Sequence, residues 1–121
     1  MEIIYEMGDD ILIAELYGEM DHHSSEKIRH DIDEMLDLYG MHHLIMDFSR
    51  VGFMDSAGIG IILGRYRKLH PAGGRMILVG CSQKIRTILH MAGVFTVMEY
   101  METREDARSC LERKEVTEWK K

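Results

Sequence analysis

The chain has only two cysteines, Cys81 and Cys110, far apart and without a CxxC spacing. Neither a disulfide framework nor a thiolate zinc site is indicated, and the pair reads as free thiols of a reducing cytosol. Long apolar runs are missing too. None approaches the roughly 18 residues that a membrane span needs. The opening MEIIYEMGDD has no basic stretch followed by an apolar core, so no signal peptide is expected. Basic residues are in deficit, 15 Lys and Arg against 21 Asp and Glu, for a net charge of -6. That balance repels a phosphate backbone and argues against nucleic acid as a direct partner. Arg65, Arg67 and Lys68 are the one compact basic cluster. Internal repeats and low-complexity segments are also absent.

What is present suits one folded domain. A chain of 121 residues can bury a core without covalent staples. Hydrophobic residues at 45% and charged residues at 30% are ordinary for a folded protein and wrong for a disordered one. Ile3 to Glu6 and Ile11 to Tyr17, separated by Gly8, Asp9 and Asp10, predict an opening hairpin. The loop GEMDHHSS follows. From Ser24 or Ser25 the period changes: Ile28, Ile32, Met35, Leu36 and Tyr39 recur at helical spacing, and Gly40 is the stop. His43 to Phe48 reads as a buried strand, and Ser49 to Asp55 as a loop.

A second helix carries Ile59, Ile62, Leu63, Tyr66 and Leu69 and ends at Pro71, Gly73 and Gly74. Met76 to Val79 is another strand, and Ser82 caps a third helix closed by Gly93. Val94 to Val97 is expected as the last strand. Thr103 with Asp106 resembles a capping box ahead of a helix whose apolar face is Ala107, Cys110 and Leu111. The order ββαβαβαβα implies an α/β fold with a mixed, mostly parallel sheet packed with helices. Residues 1–112 form the domain. Residues 113–121 read as a charged, flexible tail in which Trp119 is the one residue able to dock.

The informative stretch is FMDSAGIGI, residues 53–61. Asp55 and Ser56 lead directly into the second helix, which places Ser56 at or near its N-cap. The plain reading is a capping serine. The functional reading is an exposed hydroxyl on which a phosphate would meet the positive end of the helix dipole. Ala57 and Gly58 would leave room for another protein's active site. Enzyme motifs nearly fit and fail. A nucleophile elbow needs Gly where Met54 stands. The dinucleotide fingerprint matches at Gly58 and Gly60 but has Leu63 where the third glycine belongs, with Gly64 one residue late. The P-loop lysine is missing. Gly60 and Gly64 share a helix face and suit close packing on the sheet or on a partner. Asp21 either orients the Ser56 hydroxyl or is a solvated turn carboxylate. The pairs His22–His23 and His42–His43 form no recognised zinc motif, so no metal and no cofactor are expected.

These residues identify a family. GEMDHH at 18–23, FMDSAGIGIILGRYRKL at 53–69, GGRMILVG at 73–80 and IRTILHMAGVF at 85–95 resemble a STAS domain of the anti-sigma factor antagonist type. The resemblance spans roughly residues 1 to 112, and GEMDHH points to the sporulation branch. It implies a cytoplasmic regulator, not an enzyme. The unphosphorylated form would bind an anti-sigma factor that is also a serine kinase, and so free the sigma factor. Phosphorylation would end binding, and a serine phosphatase would reset the switch. The implied acceptor is Ser56, with Asp21 and Asp55 beside it and Gly58, Ile59, Gly60 and Ile61 in the docking surface. Ala57 stands where many relatives have a second Ser or Thr, which leaves one acceptor. Two alternatives stay open: a general-stress antagonist, and a STAS module that senses a nucleotide or lipid.

Overall fold

The computed structural model describes residues 1–119, with side chains as far as Glu112. The elements are β1 (Glu2–Gly8), β2 (Ile11–Met20), α1 (Ser25–Tyr39), β3 (His43–Met54), α2 (Ser56–Leu69), β4 (Met76–Val79), α3 (Gln83–Met91), β5 (Glu99–Met101) and α4 (Arg104–Trp119). They follow the predicted order. The expectations for the tail at 113–121, Trp119 docking included, fall on side chains outside the described residues.

The sheet runs β1-β2-β3-β4-β5, with β1 antiparallel to β2 and every later pair parallel. The hairpin turn uses Asp9 and Asp10, both at positive φ (52° and 68°), which Asp tolerates better than most residues. Because the parallel strands add in sequence order, each right-handed crossover lands on the same face. α1, α2 and α3 therefore share one face. There they bury Ile28, Ile32, Leu36, Ile62, Leu69, Ile85 and Leu89 against Leu12, Leu16, Met46, Phe48 and Leu78. The other face receives α4, whose Ala107 and Leu111 pack on Ile11, Ile13, Ile45, Ile77 and Val79. Coverage on both faces explains why ILIA and HLIM read as continuous apolar runs rather than alternating ones.

Toward the start of α4 this second face turns ionic. Arg104 reaches Asp47 (2.8 Å), Glu15 (3.1 Å) and Glu6 (3.2 Å), and Arg108 also pairs with Glu6 at 2.9 Å. Asp47 is buried and also accepts from the backbone N–H (2.9 Å) and the hydroxyl of Ser49. Gly80 lies against this group at φ 73°, and a Cβ there would come within 2.5 Å of Ser49 Oγ.

Two expectations are corrected. Val94 to Val97 is not a strand. Gly93 at φ 77° starts a 3-10 turn over Val94–Thr96, and Val94 plugs into the core. Tertiary burial here overrides the β propensity of Val-Phe-Thr-Val. The last strand is Glu99–Met101, paired with Ile77 to Val79. Ser49 to Asp55 is not a free loop either. β3 runs on to Met54, pairing with β2 as far as Met20, with register shifts after Glu15 and Gly18.

Candidate functional site

The long β2–β3 pair sets up the site. Met20 lies opposite Met54, and the Asp55 N–H donates to the Met20 carbonyl at 3.2 Å. The turn after β2 and the entry to α2 are therefore side by side at one edge of the sheet. The N-cap of α2 is Asp55, not Ser56. Its backbone is extended, and its Oδ1 accepts from the Ala57 N–H at 2.8 Å. A carboxylate is a strong cap, because the helix dipole favours its charge as well as its hydrogen bond. Asp55 Oδ2 accepts from the His22 N–H at 3.3 Å, and His22 Nδ1 lies 3.8 Å from the same oxygen.

Ser56 is then the first helical residue, and it is exposed. Among the described residues its hydroxyl makes no hydrogen bond. Gly58 behaves differently from the expectation. It is buried, and a Cβ on it would lie 2.5 Å from Met54 Cγ and 3.3 Å from the Met20 carbonyl. Its missing side chain lets the first turn of α2 rest on the ends of β2 and β3, so it gives no clearance to a visitor. The outward space lies at Gly60, which is exposed, where a Cβ would meet nothing within 4 Å. Gly64 likewise has nothing within 4 Å, so packing on the sheet explains neither glycine. Ile59 is half-buried and packs on the core, and Ile61 is buried.

Asp21 sits in the adjoining turn but serves that turn. Its Oδ1 accepts from the N–H groups of His23 and Ser24, both at 3.1 Å, and from the Ser24 hydroxyl at 3.2 Å. The bond from the Ser24 N–H leads the causes that hold its carboxyl below the usual range. Among the described residues no hydrogen bond joins Asp21 to Ser56. The residue that ties the two loops together is Asp55.

Two contributions had no sequence signal. His22 touches Asp55 across 33 positions, and no local spacing announces that. α1 supplies Ser25, Glu26 and Arg29, which with Ala57, Gly60 and Ile61 line a shallow groove of about 190 Å³ beside Ser56. The basic cluster proves to be largely spent within the molecule. Arg65 is buried with Asp33 at 2.7 Å, and Lys68 pairs with Asp37 at 3.0 Å, both partners on α1. Both cysteines are free thiols, and burial pushes Cys81 up to about 12, far from reactivity. Among the described residues no group of three or more His, Cys, Asp or Glu is placed to hold a metal ion, and no helix is long and apolar enough to cross a membrane.

Comparison with known proteins identifies the family. The STAS domain model matches residues 2–107. An anti-sigma F factor antagonist from Paenibacillus polymyxa is 33% identical over 112 residues, covering 93% of this chain and 96% of the relative. The structure of the anti-sigma factor antagonist SpoIIAA in its unphosphorylated form has a TM-score of 0.73 at 32% identity, covering 92% of this chain and 98% of the other. The phosphorylated form of SpoIIAA, described as a Bacillus cell fate determinant, gives a TM-score of 0.71 at 33% identity, covering 91% and 99%. The chain belongs to the STAS domain family and, within it, to the anti-sigma factor antagonists.

Proposed function

We propose that this chain is the phosphorylation-controlled antagonist of a sporulation anti-sigma factor, acting in the cytoplasm. Unphosphorylated, it binds an anti-sigma factor that is also a serine kinase, and the sigma factor is released. Phosphorylation of Ser56 ends that binding, and a serine phosphatase restores it. The observation that carries this reading is the state of Ser56, an exposed hydroxyl on the first turn of α2 whose capping duty is taken by Asp55. Modifying it breaks no bond on which the fold depends.

Among the described residues the two carboxylates nearest Ser56 are both engaged. Asp55 uses one oxygen on Ala57 and the other on His22, and Asp21 is engaged by its own turn. On this reading the kinase accepts the hydroxyl proton as the Ser56 Oγ–P bond forms and the bond from the γ-phosphorus to the β–γ bridging oxygen of ATP breaks. The docking face is centred on Ser56. Asp55, Gly60 and the exposed part of Ile59 lie on it, Asp21 holds the adjoining turn, and Gly58 and Ile61 support it from below. A phosphate adds about -1.5 to -2 charges at its centre, next to the Asp55 carboxylate. A loss of about 3 kcal/mol in binding is a change of more than a hundredfold.

The test is intact-mass measurement after incubation with the cognate anti-sigma kinase and ATP. Wild type should gain one phosphate. Ser56→Ala should gain none and still bind the kinase. Stoichiometric phosphorylation of the Ala variant would overturn the assignment.

A further inference from the structure

We infer that the His22 side chain receives the phosphate carried by Ser56, acting as the counter-charge within the chain for its own phosphorylated state. The inference rests on Ser56 as the place where phosphate arrives. The backbone of His22 is fixed at the site from two sides: its N–H donates to Asp55 Oδ2 at 3.3 Å, and its carbonyl accepts from the Ser25 hydroxyl at 3.3 Å. Its ring is held by no hydrogen bond among the described residues. Nδ1 stands 3.8 Å from Asp55 Oδ2, beyond hydrogen-bond reach, and the side chain is 73% exposed. A ring anchored at its base and without a hydrogen bond at its tip can swing between the carboxylate and a group on the next residue.

Charge supplies the reason for it to do so. A phosphate on Ser56 stands beside a carboxylate that cannot leave, because Asp55 Oδ1 caps α2. The other cations at the start of α1 already have partners, in exposed pairs: Lys27 with Asp31 at 2.7 Å, and Arg29 with Glu26 at 2.5 Å. The charged and titratable groups at the ring are Asp55 from the entry to α2, and Asp21 and His23 from its own turn. Asp21 is engaged with backbone N–H groups, and the His23 ring lies tilted against that of His22, centroids 4.1 Å apart. An imidazole beside a phosphate gains a proton readily, and the imidazolium then donates to two anions at once.

The experiment places phosphoserine at position 56 of the full chain by genetic-code expansion, so no kinase is needed. The phosphate is followed by 31P NMR as pH is varied, in wild type, His22→Gln, His22→Ala and His23→Gln. An exposed ion pair of about 0.2–1 kcal/mol converts, at ~1.36 kcal/mol per unit, to roughly 0.2–0.7 pH units. The second ionisation of the phosphate should therefore rise by that amount in both His22 variants and stay in place in His23→Gln. The shift should shrink at high salt. Equal titrations in wild type and His22→Gln, or a shift found only in His23→Gln, would overturn the inference. Failure of the kinase to modify Ser56 is a separate result. It would count against the function proposed above and leave this titration as it stands.

Discussion

The two faces of the sheet hold their helices by different means. α1, α2 and α3 are seated by a large apolar cluster in which Phe48, Leu12, Leu16, Ile28, Ile32 and Ile62 lose nearly all contact with water. α4 buries only Ala107 and Leu111 within its described length, and its first turn is tied down by Arg104 on Asp47, Glu15 and Glu6. Apolar burial is non-directional and subject to neither titration nor charge screening, whereas ion pairs are subject to both. Ser56 rides on α2, on the apolar face. On the function proposed above, charge added to that surface should leave the helix beneath it seated.

The comparison can be broken first at the apolar face. Phe48→Ala should cost about 3–5 kcal/mol in urea unfolding, as a buried aromatic replaced by a cavity does. At the ionic face, Arg104→Ala should cost about 2 kcal/mol near neutral pH, between the values for exposed and fully buried pairs. Its pH dependence identifies the cause. Burial alone would raise the Asp47 carboxyl, but the Ser49 hydroxyl and N–H, and then Arg104, outweigh it and hold the group below its ordinary value. A depressed carboxylate contributes stability that is complete above its unfolded value and lost as pH falls through its folded one. The gap between wild type and Arg104→Ala should accordingly narrow below about pH 4, while that for Phe48→Ala persists. A constant gap for Arg104→Ala would assign its effect to packing.

The smallest effect on stability is expected at the switch itself. Ser56→Asp should leave unfolding unchanged or improve it by ~0.3–1 kcal/mol, because a negative charge in the first turn of a helix meets the dipole favourably. Binding to the anti-sigma factor should nonetheless fall by at least about tenfold, or ~1.4 kcal/mol, with the loss shrinking as salt rises. Calorimetry at two salt concentrations checks both halves. An Asp variant that unfolds would place the switch in the fold rather than on its surface.

Much of this was legible in the sequence because the information is local. Helical spacing with Gly40 and Gly93 as stops located α1 and α3, and Ser82 caps α3 through the Ile85 N–H at 3.3 Å as its position suggested. The Asp106 N–H likewise donates to Thr103 Oγ1 at 3.1 Å. What could not be read is carried by residues distant in the chain. Glu6, Glu15, Asp47 and Arg104 meet only because three strands and a helix converge. His22 meets Asp55 only because β2 and β3 end together. The sequence placed Ser56 at or near the cap without choosing between it and Asp55, because Asp and Ser both cap well and the choice lies in backbone angles that composition does not encode. Gly58 and Gly60 looked alike on paper. One faces a methionine and the other faces solvent.

The unequal lengths of the strands have a mechanical consequence. β4 pairs with β3 only from Leu44 to Asp47. From Phe48 to Met54 the strand continues beside β2 alone, which at roughly 3.3 Å per residue amounts to on the order of 20 Å. The hydroxyl at its tip is thus carried on a cantilever braced along one side, out past the half of the sheet formed by β4 and β5. On the function proposed above, a partner closing on that tip would meet α2, the start of α1 and the turn after β2 first, with β4 and β5 set back from it.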